Sequence, residues 1–418
     1  MDSPRPLWLL ISTVWPEPQS SAAGLRDLNL VQGLVRLGFD VVLASAADNP
    51  KGLEFCRGLE RRGEVRILSI RLNHSSFDDS LRELVQAGLC GVIYDRFLME
   101  EQYGPRVREH CPQALQVVDT QDLHFLRNAR KRDPKLWEEG MEETEVVREL
   151  SSLHRVDLAW LVSPFEKELL ESRFSVASRR LSVSRFAYPK RPETFRGFSD
   201  RVGFSFIGNF RHPPNLDAFR WLRREIWPEV RRLLPGARID LWGAYPPQEV
   251  SEAHDPKQGF FVRGCAPDLE AVFSSSRVSL APLRFGAGIK GKISDSWHYG
   301  VPVVATSIGF EGMTEGEGAA GGLSGEGTLE FAQAAVSLHE DQALWERLRS
   351  QGLELIERFF SEQVFLDQLQ QGLSQARQNF LERDNDWVRR MLTHHSLETP
   401  RFFGKWLELK ESIRHSRP

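Results

Sequence analysis

Between Ala281 and Gly312 the chain reads APLRFGAGIKGKISDSWHYGVPVVATSIGFEG, and Gly286, Gly288, Lys290, Gly291 and Lys292 crowd together just before a segment with helical character. A glycine-rich turn that opens a helix exposes backbone N–H groups at the positive end of the helix dipole, and flanking lysines add full charge. That chemistry suits an anion, most simply a phosphorylated ligand. RFGAGIKGK is not a Walker loop, which needs G-x-x-x-x-G-K-[ST], and only Gly286 and Gly288 fit G-x-G-x-x-G. Asp295 falls one turn into the helix, where it could accept from a ribose diol or serve only the helix dipole, worth ~0.3–1 kcal/mol.

Four other loops carry polar groups at strand ends. In TVWPEPQSSAAGLRD, the small residues Ser20 to Gly24 allow close backbone approach and Arg26 lies in the next helical turn. DTQDLHFLRNARK gathers Asp119, Asp122, His124 and Arg127, which offer directional acceptors and a group that titrates near neutrality. They suit sugar hydroxyls or proton transfer, with helix capping as the plainer role. In FIGNFRHPPNLDA, Gly208 turns the chain, Arg211 presents a planar fork for phosphate oxygens and Asn215 can cap the helix that follows. ATSIGFEGM places Glu311 between Gly309 and Gly312, either as a flexible flap or as a surface turn.

The elements that must position these loops alternate. LWLLIS, GLRDLNLVQGLVRLG and DVVLAS read as strand, helix and strand, with Gly38 stopping the helix. EVRILSI, GVIYDR, ALQVVDT and DLAWLVS continue the series, with a charged helix over about Pro134 to Val156 and another opening at Ser163 or Pro164. Continuous apolar strands imply parallel sheets covered on both faces. Phe186 to Arg201, FAYPKRPETFRGFSDR, is the best linker. Beyond it FSFIGNF, ARIDLWG, GFFVRG, RVSLAP and VPVVAT repeat the rhythm, and past Leu329 the pattern is helical. The expected organisation is α/β: a first domain over 1–188, a linker over 189–202, a second domain over 203–355 and a helical extension over 356–418.

A chain of 418 residues exceeds one ordinary core. The net charge of −4 provides no global attraction for nucleic acid. Cys56, Cys90, Cys111 and Cys265 lack C-x-x-C spacing and read as free thiols of a reducing, cytoplasmic compartment. Leu7 to Val14 is far shorter than the ~18 residues of a membrane span. The aromatic and basic tail ETPRFFGKWLELKESIRHSRP fits packing on the body better than a membrane surface, and peripheral membrane contact stays open.

FIGNFRHPPNLDAFRWL, the stretch from PDLEAVF to GFEGM and the N-terminal turn together resemble the retaining glycosyltransferases of family 4 (glycosyl transferases group 1) in a GAG-x-KGK variant, over roughly residues 5 to 370. The resemblance implies a GT-B fold, two Rossmann-like lobes facing a cleft with C-terminal helices, and transfer from a nucleotide-sugar to an acceptor hydroxyl without metal or cofactor. It implies donor contacts from Gly24, Gly208, Asn209, Arg211, Gly286, Gly288, Ile289, Lys290, Lys292 and Asp295. Sugar or acceptor contacts fall to Arg26, Asp122 and His124, and the catalytic groups to His124, Arg211 and Lys290. Asp295 stands for the second glutamate of the family's E-x7-E motif, and Ala287 replaces the first. That loss keeps two alternatives in view: a non-catalytic nucleotide-sugar sensor or scaffold, and an epimerase or phosphorylase on the same lobes. The acceptor and the donor's sugar and base are unspecified.

Overall fold

The computed structural model describes residues 5–190, 196–316, 321–394, and 406, 407 and 410. Strands β1 (Leu7–Ser12), β2 (Asp40–Ser45), β3 (Arg66–Ser69), β4 (Leu89–Asp95), β5 (Leu115–Asp119), β6 (Leu158–Leu161) and β7 (Leu181–Val183) form one sheet in the order 3-2-1-4-5-6-7. A second sheet holds β8 (Phe204–Ile207), β9 (Ile239–Trp242), β10 (Phe260–Gly264), β11 (Val278–Ala281), β12 (Val303–Ala305) and β13 (Gly322–Ser324) in the order 10-9-8-11-12-13. Pairing is parallel throughout both. The central strands are apolar on both faces, and every residue of β1 is buried. Burial of each Leu, Val or Ile side chain contributes ~1.5–3 kcal/mol, so these runs are most stable where helices cover both sides.

In each sheet the order reverses once, between β1 and β4 and between β8 and β11. A crevice opens there outside the carboxyl ends of the strands, and ligands of open α/β sheets bind in such crevices. The two lobes face each other across these edges.

Several expectations change. β7 and β13 were not read from the sequence, because three residues at a sheet edge carry no usable periodicity. The charged helix begins at Glu143, not near Pro134. The preceding helix, His124–Arg132, ends at Asp133, whose carboxylate accepts from Lys135 N and Leu136 N and turns the chain instead. Asn215 is not a cap: Pro213 and Pro214 start the helix Pro213–Trp221 earlier, with His212 flanking it. The boundary expected at 355/356 falls inside the helix Gln342–Phe359, which packs on the helix Gly291–His298. The linker's residues 191–195, and most of the tail from 395 onward, lie outside the described residues.

The helix Glu362–Leu381 returns to the first lobe. Its Phe365 and Leu369 press against Gly33, where a Cβ would sit 2.8 Å from the Phe365 ring, and Gly372 lies against Trp160. Asp157 then receives Arg383 and Arg389.

Candidate functional site

The loops at the two switch points converge on a cleft of about 240 Å³ lined by both lobes. The first lobe supplies Pro18 to Ala23 and Leu25 after β1, Arg96 after β4, Gln121 and Asp122 after β5, and Arg127. The second supplies Gly208 and Asn209 after β8 and Gly286, Ala287 and Ile289 to Lys292 after β11, with Asp295 behind them. Sequence-expected residues therefore meet here: Gly208, Asn209, Gly286, Ile289, Lys290, Lys292, Asp295 and Asp122. His124 lines an adjoining recess.

The glycine loop is held by the opposite lobe. Gly288 has φ +63°, a left-handed conformation that glycine adopts without penalty, and an added Cβ would lie 2.9 Å from Gln121 O and 3.0 Å from Asp122 Cβ. Its N–H donates to Glu166 Oε1 at 2.8 Å, and the same oxygen accepts from Leu123 N at 2.9 Å. One buried carboxylate thus ties the loop that carries His124 to the loop that carries Lys290. Burial raises the Glu166 carboxyl to about 7, with Asp122 adding to the shift. Beside it Arg130 makes a two-pronged pair with Glu311, both bonds 2.7 Å, and donates to Gly286 O at 2.9 Å. Glu311, read from sequence as flap or turn, is an interlobe anchor.

The helix Gly291–His298 follows Lys290, so its first N–H groups point toward the cleft. Lys290 Nζ donates to Gly288 O at 2.7 Å and lies 4.0 Å from Glu311 Oε1. Burial lowers its pKa and Glu311 opposes that. Lys292 Nζ reaches Asn215 Oδ1 at 2.7 Å, and burial lowers it to about 7. Asp295 accepts from Tyr188 OH at 2.6 Å, and burial raises it to about 7 against the pull of Tyr188 and Lys292.

On the first-lobe side Asp122 is buried, which would raise it, yet Arg127, His124 and Arg96 outweigh this and hold it at about 2. It is therefore an anion, bonded by Arg127 Nη1 at 2.5 Å. Burial lowers His124 to about 4, so its ring is neutral near pH 7. Its Nε2 is buried and makes no hydrogen bond among the described residues. The same nitrogen lies 3.5 Å from Asp122 Oδ1, just outside a close hydrogen bond; a neutral imidazole can bond a sugar hydroxyl or exchange a proton with it.

Besides Gly288, three expected residues lie away from the cleft wall. Arg26 is fully buried, bonds Asp119 at 2.7 Å and donates to Arg185 O at 2.8 Å, so its guanidinium braces β5 against the segment after β7. Gly24 packs on the Glu17 backbone, where a Cβ would come within 2.6 Å. Arg211 is exposed, its guanidinium 3.6 Å above the Tyr245 ring, whose hydroxyl donates to Glu17 Oε2 at 2.6 Å across the lobes. Ala287, in the place of the missing acid, lines the cleft and packs on the first-lobe core.

The residues that sequence reasoning missed are Arg96, Gln121, Arg130 and Glu166. Arg96 directly follows a buried strand at the switch point, a position its sequence context GVIYDR discloses once the strand order is known. Arg96 and Gln121 both have positive φ, 69° and 59°. Gln121 Nε2 bridges Asp27 at 3.1 Å and Asp95 at 2.7 Å beneath the cleft, where burial and Asp95 raise Asp27 well above the carboxylate range. Among the described residues no group of three or more His, Cys, Asp or Glu side chains is arranged to hold a metal ion. No helix there is long and apolar enough to cross a membrane.

Residues 201–341 match the family model described as glycosyl transferases group 1. A curated relative, an uncharacterized 44.6 kDa protein in the cps region of Klebsiella pneumoniae, is 27% identical over 120 residues, which span 27% of this chain and 31% of that protein. The fold is similar to Anabaena HepE solved with UDP and glucose (TM-score 0.66, 12% identity, covering 88% of this chain and 99% of that one). It is also similar to Staphylococcus aureus TarM solved with UDP (0.66, 9%, 88% and 99%) and to sucrose-phosphate synthase from Thermosynechococcus elongatus (0.60, 17%, 89% and 99%). These likenesses establish the GT-B fold.

Proposed function

We propose that this chain, whose residues 201–341 belong to the glycosyl transferases group 1 family, is a glycosyltransferase that moves a sugar from a nucleotide-sugar to an acceptor hydroxyl with retention at the anomeric carbon. The observation that carries this reading is the convergence of Lys290, Lys292, Arg96, Arg127 and a helix N-terminus on one interlobe cleft. When the glycosidic bond breaks, charge grows on the departing nucleoside diphosphate, and preorganised positive potential lowers that barrier without reorganisation. Lys290 and the Gly291 helix end face the diphosphate, Asp295 accepts from the ribose, and neutral His124 bonds the transferred sugar. Closure of the lobes excludes water from the reacting bond. Arg211 steadies the Tyr245–Glu17 contact in this scheme and does not touch phosphate.

UDP-sugars are the first donors to test, because HepE and TarM were solved with UDP. The test is a thermal-shift screen of nucleotide-sugars followed by a turnover assay. The expected result is a rise in Tm with a UDP-sugar and release of UDP when an acceptor is added. Binding without any turnover would favour the sensor reading, and formation of an isomer or a sugar phosphate the epimerase or phosphorylase reading. No shift with any nucleotide-sugar would overturn the proposal.

A further inference from the structure

A recess of about 300 Å³ adjoins the donor cleft and shares Arg96, Arg127 and His212 with it. No carboxylate lines it. His124, Arg127 and Lys131 lie at positions i, i+3 and i+7 of the helix His124–Arg132, so one helical stripe faces the recess. Both imidazoles there are neutral near pH 7, since burial lowers His124 and His212. The charge of the walls therefore comes from three cations. Asp95 stands behind Arg96 at 3.2 Å and Asp122 behind Arg127 at 2.5 Å, while Lys131 has no carboxylate within 4 Å among the described residues. Asp27 and Asp119 also act on Arg96 from beneath, so the positive balance belongs to the lining side chains themselves, where Lys131 is the cation that no carboxylate offsets and both guanidinium groups keep further N–H donors.

The backbone supports the same conclusion. Arg96 sits at φ +69°, a left-handed conformation that is strained for a non-glycine residue. Strain of this kind persists where the surrounding fold forces a side chain into a functional place. Here it directs a guanidinium to the wall between donor cleft and recess, where its remaining contact to Gln121 Oε1 is a long 3.4 Å.

Resting on the glycosyltransferase reading, we infer that this recess holds the acceptor and selects one that carries an anionic group, a phosphate or a carboxylate, near the hydroxyl that is glycosylated. Arg127 and Lys131 meet the anion, Arg96 spans it and the leaving diphosphate, and His124 lines the recess beside the sugar. A neutral acceptor would leave these donors desolvated and unpaired.

The test uses the full chain saturated with UDP, so that donor binding is established before the acceptor question is asked. Glucose, glucose 6-phosphate, glucuronate and inorganic phosphate are titrated calorimetrically. The expected result is measurable binding of glucose 6-phosphate or glucuronate and none of glucose at the same concentrations, and the two anionic sugars separate phosphate from carboxylate recognition. Lys131→Gln, an exposed and fold-neutral change, should weaken that binding about threefold to fivefold while leaving UDP affinity unchanged. Equal binding of glucose and its anionic counterparts, no binding of either anionic sugar to the UDP-saturated chain, or an unaltered Lys131→Gln titration would each overturn the inference. Absence of UDP binding would instead refute the donor reading on which it rests.

Discussion

Replacing Arg130 by methionine removes the cationic half of a pair that joins the lobes. Its side chain is 4% exposed and that of its partner Glu311 17%. Stranding one member of a buried pair costs roughly 3–5 kcal/mol. Glu311 keeps some water contact and Lys290 Nζ lies 4.0 Å away, and both place the cost at the lower end, about 3 kcal/mol. Parting the lobes rewets Glu311 without unfolding either sheet, so the loss appears as a shift from closed to open. At 1.36 kcal/mol per tenfold, the closed-to-open ratio falls by about 150-fold. Small-angle scattering should show a larger radius of gyration for Arg130→Met than for the parent in the presence of UDP. Its kcat/KM should drop by up to that same factor. Glu311→Gln should behave alike, and the double variant should be less impaired than the sum of the two singles, because both remove one interaction. Wild-type kcat/KM with an unchanged scattering profile would refute the reasoning.

Gly288→Ala should lower activity at least tenfold with little loss of Tm, since the left-handed backbone costs roughly 1–2 kcal/mol and the new methyl meets Gln121 O only when the lobes close. Lys290→Met should reduce kcat by about a hundredfold, the scale seen when one donor to a developing anion is removed, and a pre-steady-state measurement of UDP release reads it directly. Glu149 gives a pH prediction. Burial raises this carboxyl to about 8 while it caps His124 N and Phe125 N, so the folded chain keeps a proton that the unfolded chain, with an ordinary value near 4.5, gives up. Its contribution to stability is full below about pH 4.5 and is lost as pH rises through about 8, and Glu149→Gln should flatten Tm against pH over that window.

Most of the strands could be anticipated, because eleven of them are apolar runs bounded by turn residues. β7 and β13 could not, being three residues long at sheet edges. The glycine loop and Asp295 were legible since they adjoin in sequence a strand and a helix that read clearly. The contacts of Arg26 and Arg211 were not legible for one reason: an arginine beside a ligand-binding loop looks the same in sequence whether it faces a phosphate or rests on Asp119 or Tyr245. Arg130 and Glu166 were hidden for another. Their partners, Glu311 and Gly288, are 181 and 122 residues distant and belong to the other lobe, so only the docking of two separately patterned halves brings them together.

The return of the helix Glu362–Leu381 means that the polypeptide passes between the lobes twice. The two passages touch: Tyr188 N donates to Phe360 O at 2.9 Å, and Tyr188 pairs with Ser361 as a short parallel bridge. A paired ribbon resists twisting more than a single strand does, so the halves swing like a door on two pins. The Tyr188 hydroxyl at this pivot also bonds Asp295 in the cleft. A ligand that pulls on Asp295 therefore pulls on the pivot itself, and trimming the chain before Glu362 would leave the door hanging on one pin while baring the apolar back of the first sheet.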